Sequence, residues 1–160
     1  MEIIKQRLKT LLDNLDLAGI WLGPLALRLL LANEFWDAGV EKLNGQNWFV
    51  EIQHQFPFPF NLFPAGFSWQ VATWVELIGP IALILGLGTR FFSLILSILT
   101  LVAIASVHAG HGYTISEGGW KLPLIYLVMF LPLILSGPGK LSIDHWLRQH
   151  FLKTERRLWS

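Results

Sequence analysis

Arg28, Glu76 and Tyr126 each stand inside a long apolar stretch of this 160-residue chain. An ionised side chain at the centre of a bilayer costs at least about 2.5–3.5 kcal/mol, so such residues normally face protein or water and mark functional sites. Arg28 lies eight residues before Trp36, Glu76 seven after Trp69 and Tyr126 six after Trp120. At 1.5 Å per residue this places them about 12, 10 and 9 Å below one face, a single level reached from three helices. An Arg28–Glu76 pair at that level would relieve two otherwise isolated buried ions. Three readings stand side by side: an ion pair that sets helix register, a ligand or proton site built around it with Tyr126, or independent water-facing positions.

A second group lies nearer the same face: Glu34, His108 and His111, with His54 and Glu117 in the adjoining loops. His108 and His111 share a face if the helix continues through them, although Gly110 and Gly112 can break it. Imidazole with carboxylate suits zinc or copper(II). The spacing is a weak signal, because H-x-x-H recurs by chance and interfacial histidines are often merely solvated. There is no phosphate loop, nucleophile elbow or zincin motif. The glycines of GLGTR follow no strand and make no nucleotide site. Ser93 and Ser97, one helical turn apart, read as packing residues. Cysteine is absent, which excludes disulfides, thiolate ligands and cysteine nucleophiles within this chain.

The elements that carry these residues read as membrane helices. Charged residues make up 14% of the chain against about 25% in soluble domains, and mean hydropathy is +0.50. Eight tryptophans fit interfacial belts. A net charge of +1 with no basic stripe argues against nucleic acid as a partner. The expected fold is one all-α domain over 1–160, a four-transmembrane-helix bundle with spans at 18–36, 69–88, 91–108 and 120–136. The short polar turn at Gly86–Arg90, which contains Thr89, makes the second and third spans antiparallel neighbours. Amphipathic interfacial helices are expected at both termini, over 1–17 and 141–157. A signal peptide is the rival for the first of these. The apolar run that follows it is longer than the usual signal core of about 7–15 residues, and no good cleavage site ends it.

The connections at 37–68 and 109–119 lie on one side. In the first, prolines at 57, 59 and 64 forbid a continuous helix, and phenylalanines at 56, 58, 60, 63 and 67 make it greasy. It is expected to fold back on the interface or cap the bundle; a Pro-aromatic surface for a partner is the alternative. With four spans, nine Lys or Arg fall on the side of the termini and of Arg90, against Lys42 and Lys121 opposite. That asymmetry gives N-in, C-in.

The segments ALRLLLANEFWDAGVEKL, WVELIGPIALILGLGTRFFSL, VHAGHGY and KLPLIYLVMFLPLILSGPGKLSIDH, in this order, resemble the DoxX family of small bacterial inner-membrane proteins. The match runs from about Leu25 to His145. FPFPFN and HAGHGY look most like the branch encoded beside copper-binding modified peptides of the bufferin type. The resemblance implies a four-helix membrane bundle. It also implies recurring features at Arg28, Gly39, Lys42, Glu76, Gly86, Thr89, Arg90, Gly137, Gly139, Leu141 and Asp144. The family name derives from quinone-linked thiosulfate oxidation, and other members are linked to redox stress. Relatives often carry a cysteine after the HAGHGY segment, where this chain has Thr114 to Glu117, so a thiol mechanism does not transfer.

Three functional readings follow. The first is an accessory protein of the bacterial inner membrane that supports copper handling or a redox system and holds a protein partner, peptide, metal (copper or zinc) or quinone at the outer-half pocket near Arg28, Glu76, His108 and His111. The second is a membrane subunit of a quinone-linked oxidoreductase of the thiosulfate:quinone type. Its electrons would come from a partner, because no flavin, haem or iron–sulfur motif is present; activity of the chain on its own is left open and is not the expectation. The third is a small transporter or scaffold acting as a homo-oligomer.

Overall fold

The computed structural model describes the backbone of residues 1–158 and the side chains of residues 1–150, and among these residues it is helical with no strand. Helix α1 runs unbroken over Glu2–Asn44. The segments 1–17 and 18–36, expected as an interfacial helix and a separate span, are one helix that continues eight residues past Trp36. No residue in the junction forces a break. Pro24 removes one N–H but is tolerated, and Gly139 packs against its ring and the carbonyl of Ile20 that it leaves unpaired.

Helix α2 (Phe49–Ile52) and single 3₁₀ turns at Gln53–Gln55 and Phe60–Leu62 fold the proline-rich connection back over the bundle. Helix α3 (Ala65–Leu85) ends at Gly86, whose φ of +66° is the left-handed geometry that glycine adopts without strain. The N–H groups of Gly86 and Leu87 bond Leu83 and Ala82 carbonyls at 3.2 and 2.9 Å, a Schellman closure. Helix α4 (Thr89–Ala103) starts two residues later and widens into a π turn at Ile104–His108, followed by a 3₁₀ turn at Ala109–His111. After Ile115–Glu117 come helices α5 (Lys121–Ser136) and α6 (Ile143–Leu158). The Phe151 end of the expected apolar face of α6 lies outside the described side chains.

Three helical stretches are long and apolar enough to cross a membrane: Glu2–Asn44, Ala65–Leu85 and Thr89–His111; α5 is apolar but shorter. Helix α1 packs chiefly on α3, and α4 on α5 and α3. Their shared core holds Leu31, Ala32, Phe35, Leu83, Leu96, Phe130 and Leu133. Outside it the surface is apolar, with Leu29, Leu30, Trp74, Ile78, Ile81 and Leu101 all exposed. A soluble domain does not leave such a belt uncovered, whereas lipid covers it at no cost. Within the bundle, the hydroxyls of Thr73, Ser97, Thr100 and Ser106 donate to carbonyls one turn back at 2.7–2.8 Å. Small residues satisfied on their own helix let helices approach, the role expected for Ser97.

Candidate functional site

At the end of the bundle that carries the α3–α4 turn, Arg28 is fully buried. Its Nη1 donates to the carbonyls of Leu83 (3.1 Å) and Ile84 (3.3 Å), and its Nη2 to that of Leu141. The last carbonyls of a helix lack partners and form the negative end of its dipole, so a guanidinium fits there. Gly86 faces the same guanidinium and Ser142 with no room for a Cβ. Asp144 closes the cluster from α6: its Oδ1 accepts the Gly88 N–H at 2.8 Å and its Oδ2 the Thr89 N–H at 3.1 Å. Its own N–H donates to the Gly86 carbonyl at 3.0 Å. Arg90 donates to the Leu135 carbonyl at 3.1 Å, tying the start of α4 to the end of α5. Thr89 and Arg90 thus hold the turn to its neighbours.

The expected Arg28–Glu76 pair does not form. The depth count took Trp36 as the end of the first helix, but α1 runs on to Asn44, and it is Gly39 that lies against Glu76. Arg28 is eleven residues, about 16 Å of helix, from that position. Glu76 pairs instead with Lys42, whose Nζ lies 2.8 Å from Oε2; the two side chains are 4% and 14% exposed respectively. A Cβ at Gly39 would stand 2.9 Å from the Glu76 carbonyl carbon and oxygen, so glycine permits the approach of α1 to α3 that brings the pair together.

Tyr126 also has a different partner: its hydroxyl donates to the Glu34 carboxylate. Tyr126, Glu34, Glu76 and His108 nevertheless line one cavity of about 170 Å³, so Glu76 and Tyr126 do meet, without Arg28. His108 arrives there at the end of the π turn, a feature often found at functional sites. Its Nδ1 lies 2.6 Å from the Gly118 carbonyl. A carbonyl only accepts, so Nδ1 carries the proton and Nε2 of the neutral ring keeps its lone pair. His111 sets its Nδ1 on the Val107 carbonyl at 2.9 Å and does not line this cavity. Among the described residues no three of His, Cys, Asp and Glu converge as metal ligands, so His108, His111 and Glu34 form no ready-made metal centre.

A second cavity of about 250 Å³ lies between the folded-back 45–64 segment and helices α3 and α4. Trp48, Phe49, Phe56, Phe60 and Phe63 line it from the segment, and Phe67, Val71, Ile95, Ile98 and Val102 from the helices. Phe49 meets Phe56 and Trp69 edge to face at 5.2 and 5.1 Å, and Gln53 clips the segment to the Phe63 carbonyl at 2.6 Å. The greasy loop therefore caps the bundle. Lys42 and Glu76 stand at the polar margin of this cavity, and Glu76, Leu99 and Ala103 border both cavities. Glu76 is thus the ionisable group in a shared wall.

Lys42 enters the sequence reading as a counted charge and as a position that the resemblance implies, not as the partner of Glu76. The signal was present: Arg28, Phe35 and Lys42 recur at heptad spacing along the buried stripe of α1.

The DoxX family model matches residues 23–109, and the model described as TQO small subunit DoxD matches residues 67–159. An uncharacterized protein of Haemophilus influenzae is 58% identical over 120 residues, covering 75% of this chain and 80% of its own length. A second uncharacterized protein of that organism is 40% identical over 79 residues, 47% of this chain and 58% of its own. No solved structure gives a significant match. With span-length apolar helices and a match over more than half its length, the chain belongs to the DoxX family of small membrane proteins.

Proposed function

We propose that this protein is a multi-pass membrane subunit of a quinone-linked redox system and holds a quinone ring in the aromatic cavity, its polar groups toward Lys42 and Glu76. The observation that carries this is the cavity itself: aromatic and aliphatic walls, with an ion pair at one margin. About 250 Å³ takes a single substituted ring, and the bilayer beside α3 and α4 receives its tail. When bound, a quinone takes up two electrons and two protons to become a quinol. The similarity to a small subunit of a quinone oxidoreductase supports the reading.

The chain's own residues have definite parts in it. The Lys42 ammonium donates a hydrogen bond toward a carbonyl oxygen of the ring. Glu76 is placed to exchange protons with that oxygen on one side and with the polar cavity of Glu34, Tyr126 and His108 on the other. The aromatic cap excludes water. Electrons come from a partner protein. In this reading α5 crosses the bacterial inner membrane as the fourth span, packed along α4. Both termini are cytoplasmic, and the aromatic cap faces outward. Copper or zinc handling has no comparable support: Glu34 and His108 share a cavity, but among the described residues no three of His, Cys, Asp and Glu converge as a ligand set.

The test is organic extraction of quinone from gently purified protein, backed by quenching of the Trp48 and Trp69 fluorescence with a short-chain ubiquinone analogue. Wild type retains quinone and is quenched saturably. The variant Lys42→Met/Glu76→Gln removes both charges together, so it leaves no lone buried ion to unfold the protein. It should fold and lose the ligand. Absence of both retained quinone and saturable quenching in the wild type would sink the proposal.

A further inference from the structure

At the opposite end of the bundle, a cavity of about 210 Å³ lies between Ile20 of α1, the Ser136–Lys140 loop and the first turns of α6. We propose that it binds the phosphate of an anionic phospholipid headgroup. Lys140, His145 and Arg148 line it, and Arg90 lies beside Gly137 at its back. Asp144 is the carboxylate in the lining, but both its oxygens already accept backbone N–H groups of the α3–α4 turn. Against that one negative charge stand Lys140 and Arg148 in the lining and Arg90 behind it, so the net charge facing a ligand is positive. Lys140 is held over the Trp21 ring at 5.5 Å, which keeps its ammonium at the mouth. His145 has its Nε2 2.9 Å from the Gln149 amide nitrogen, so that nitrogen accepts and Nδ1–H remains as a donor.

The surroundings separate a lipid from a soluble anion. Trp21, whose ring lies under the Lys140 ammonium, and Leu135, Leu141 and Trp146, each next in sequence to a lining residue, are all exposed, Leu135 by 73%. Free phosphate has no use for an apolar rim, whereas a phospholipid sets its acyl chains against it. In the four-span topology the cavity lies on the side to which nine of the chain's Lys and Arg are assigned, the cytoplasmic side, whose leaflet is anionic. Basic pockets between membrane helices on that side are where anionic headgroups bind. This inference is independent of the quinone reading.

The experiment is native mass spectrometry of the full chain in detergent, titrated with phosphatidylglycerol, with phosphatidylcholine, and with inorganic phosphate. Wild type should retain phosphatidylglycerol over phosphatidylcholine, and millimolar phosphate should not displace it. Lys140→Ala and Arg148→Ala are exposed positions whose loss leaves the fold intact. Each should weaken phosphatidylglycerol retention by about fivefold, and the pair by roughly thirtyfold. Equal retention of the two lipids, or unchanged retention in the double variant, overturns the proposal. Displacement by inorganic phosphate overturns it too, by assigning the cavity to a soluble anion.

Discussion

Arg28 and Lys42 lie two heptads apart on one stripe of α1, yet their charges are met in opposite ways. Arg28 is surrounded by the carbonyls of Leu83, Ile84 and Leu141, groups that no substitution removes, and the turn around it is closed by Asp144. Lys42 is met by one carboxylate, Glu76, at the edge of two cavities. A cation satisfied by backbone acceptors holds a fold together, because its bonds are fixed in place. A pair of opposite side-chain charges beside empty space can be rearranged by a ligand. The difference teaches that buried charge alone does not mark a site; the company it keeps does.

That contrast can be broken by substitution, and the largest effect belongs to the turn end. Arg28→Met removes the donor that the Leu83, Ile84 and Leu141 carbonyls share, of which Leu83 keeps the Gly86 N–H, and should cost about 3 kcal/mol, read as a lower melting temperature in detergent. Gly39→Val forces a Cβ against the Glu76 backbone. It should cost about 1–3 kcal/mol and, unlike the Arg28 change, should also lower quinone affinity in the protein that stays folded. Asp144→Ala removes the cap of α4 and should cost about 1 kcal/mol with no effect on quinone. Tyr126→Phe removes one hydrogen bond to Glu34, an effect on stability of about 1 kcal/mol or less. If Tyr126 serves only packing, quinone affinity stays unchanged in that variant; if the polar cavity supplies protons, turnover with a donor slows.

Much of the architecture was legible in apolar run lengths. The expected 69–88, 91–108 and 120–136 segments correspond to helices over Ala65–Leu85, Thr89–His111 and Lys121–Ser136, with glycine marking the turns. Where the reading slipped, the cause was a ruler. Trp36 marks where α1 leaves an apolar run, and Asp37 and Glu41 follow, but polar residues do not stop a helix that is already propagating. The eight extra residues carried Lys42 to Glu76 and left Arg28 at the other end. Glu76 and Tyr126 were recognisable as buried polar residues in apolar helices, while their partners were not. Pairing depends on register between helices, and a single chain's periodicity fixes a face without fixing a register. His108 and His111 illustrate the same limit: Gly110 and Gly112 signal that the helix can break there, but not that a π turn ends at His108 and a 3₁₀ turn carries His111.

The most direct test is the shift in melting temperature that a short-chain ubiquinone analogue produces, since a ligand that binds only the folded state raises it by mass action. Wild type should show a saturable upward shift. Asp144→Ala should start from a lower melting temperature and keep the shift in full, and Lys42→Met/Glu76→Gln should start near wild type and show none. A shift that survives in the Lys42→Met/Glu76→Gln variant, or that vanishes in Asp144→Ala, contradicts the division between an end that holds the fold and an end that holds the ligand.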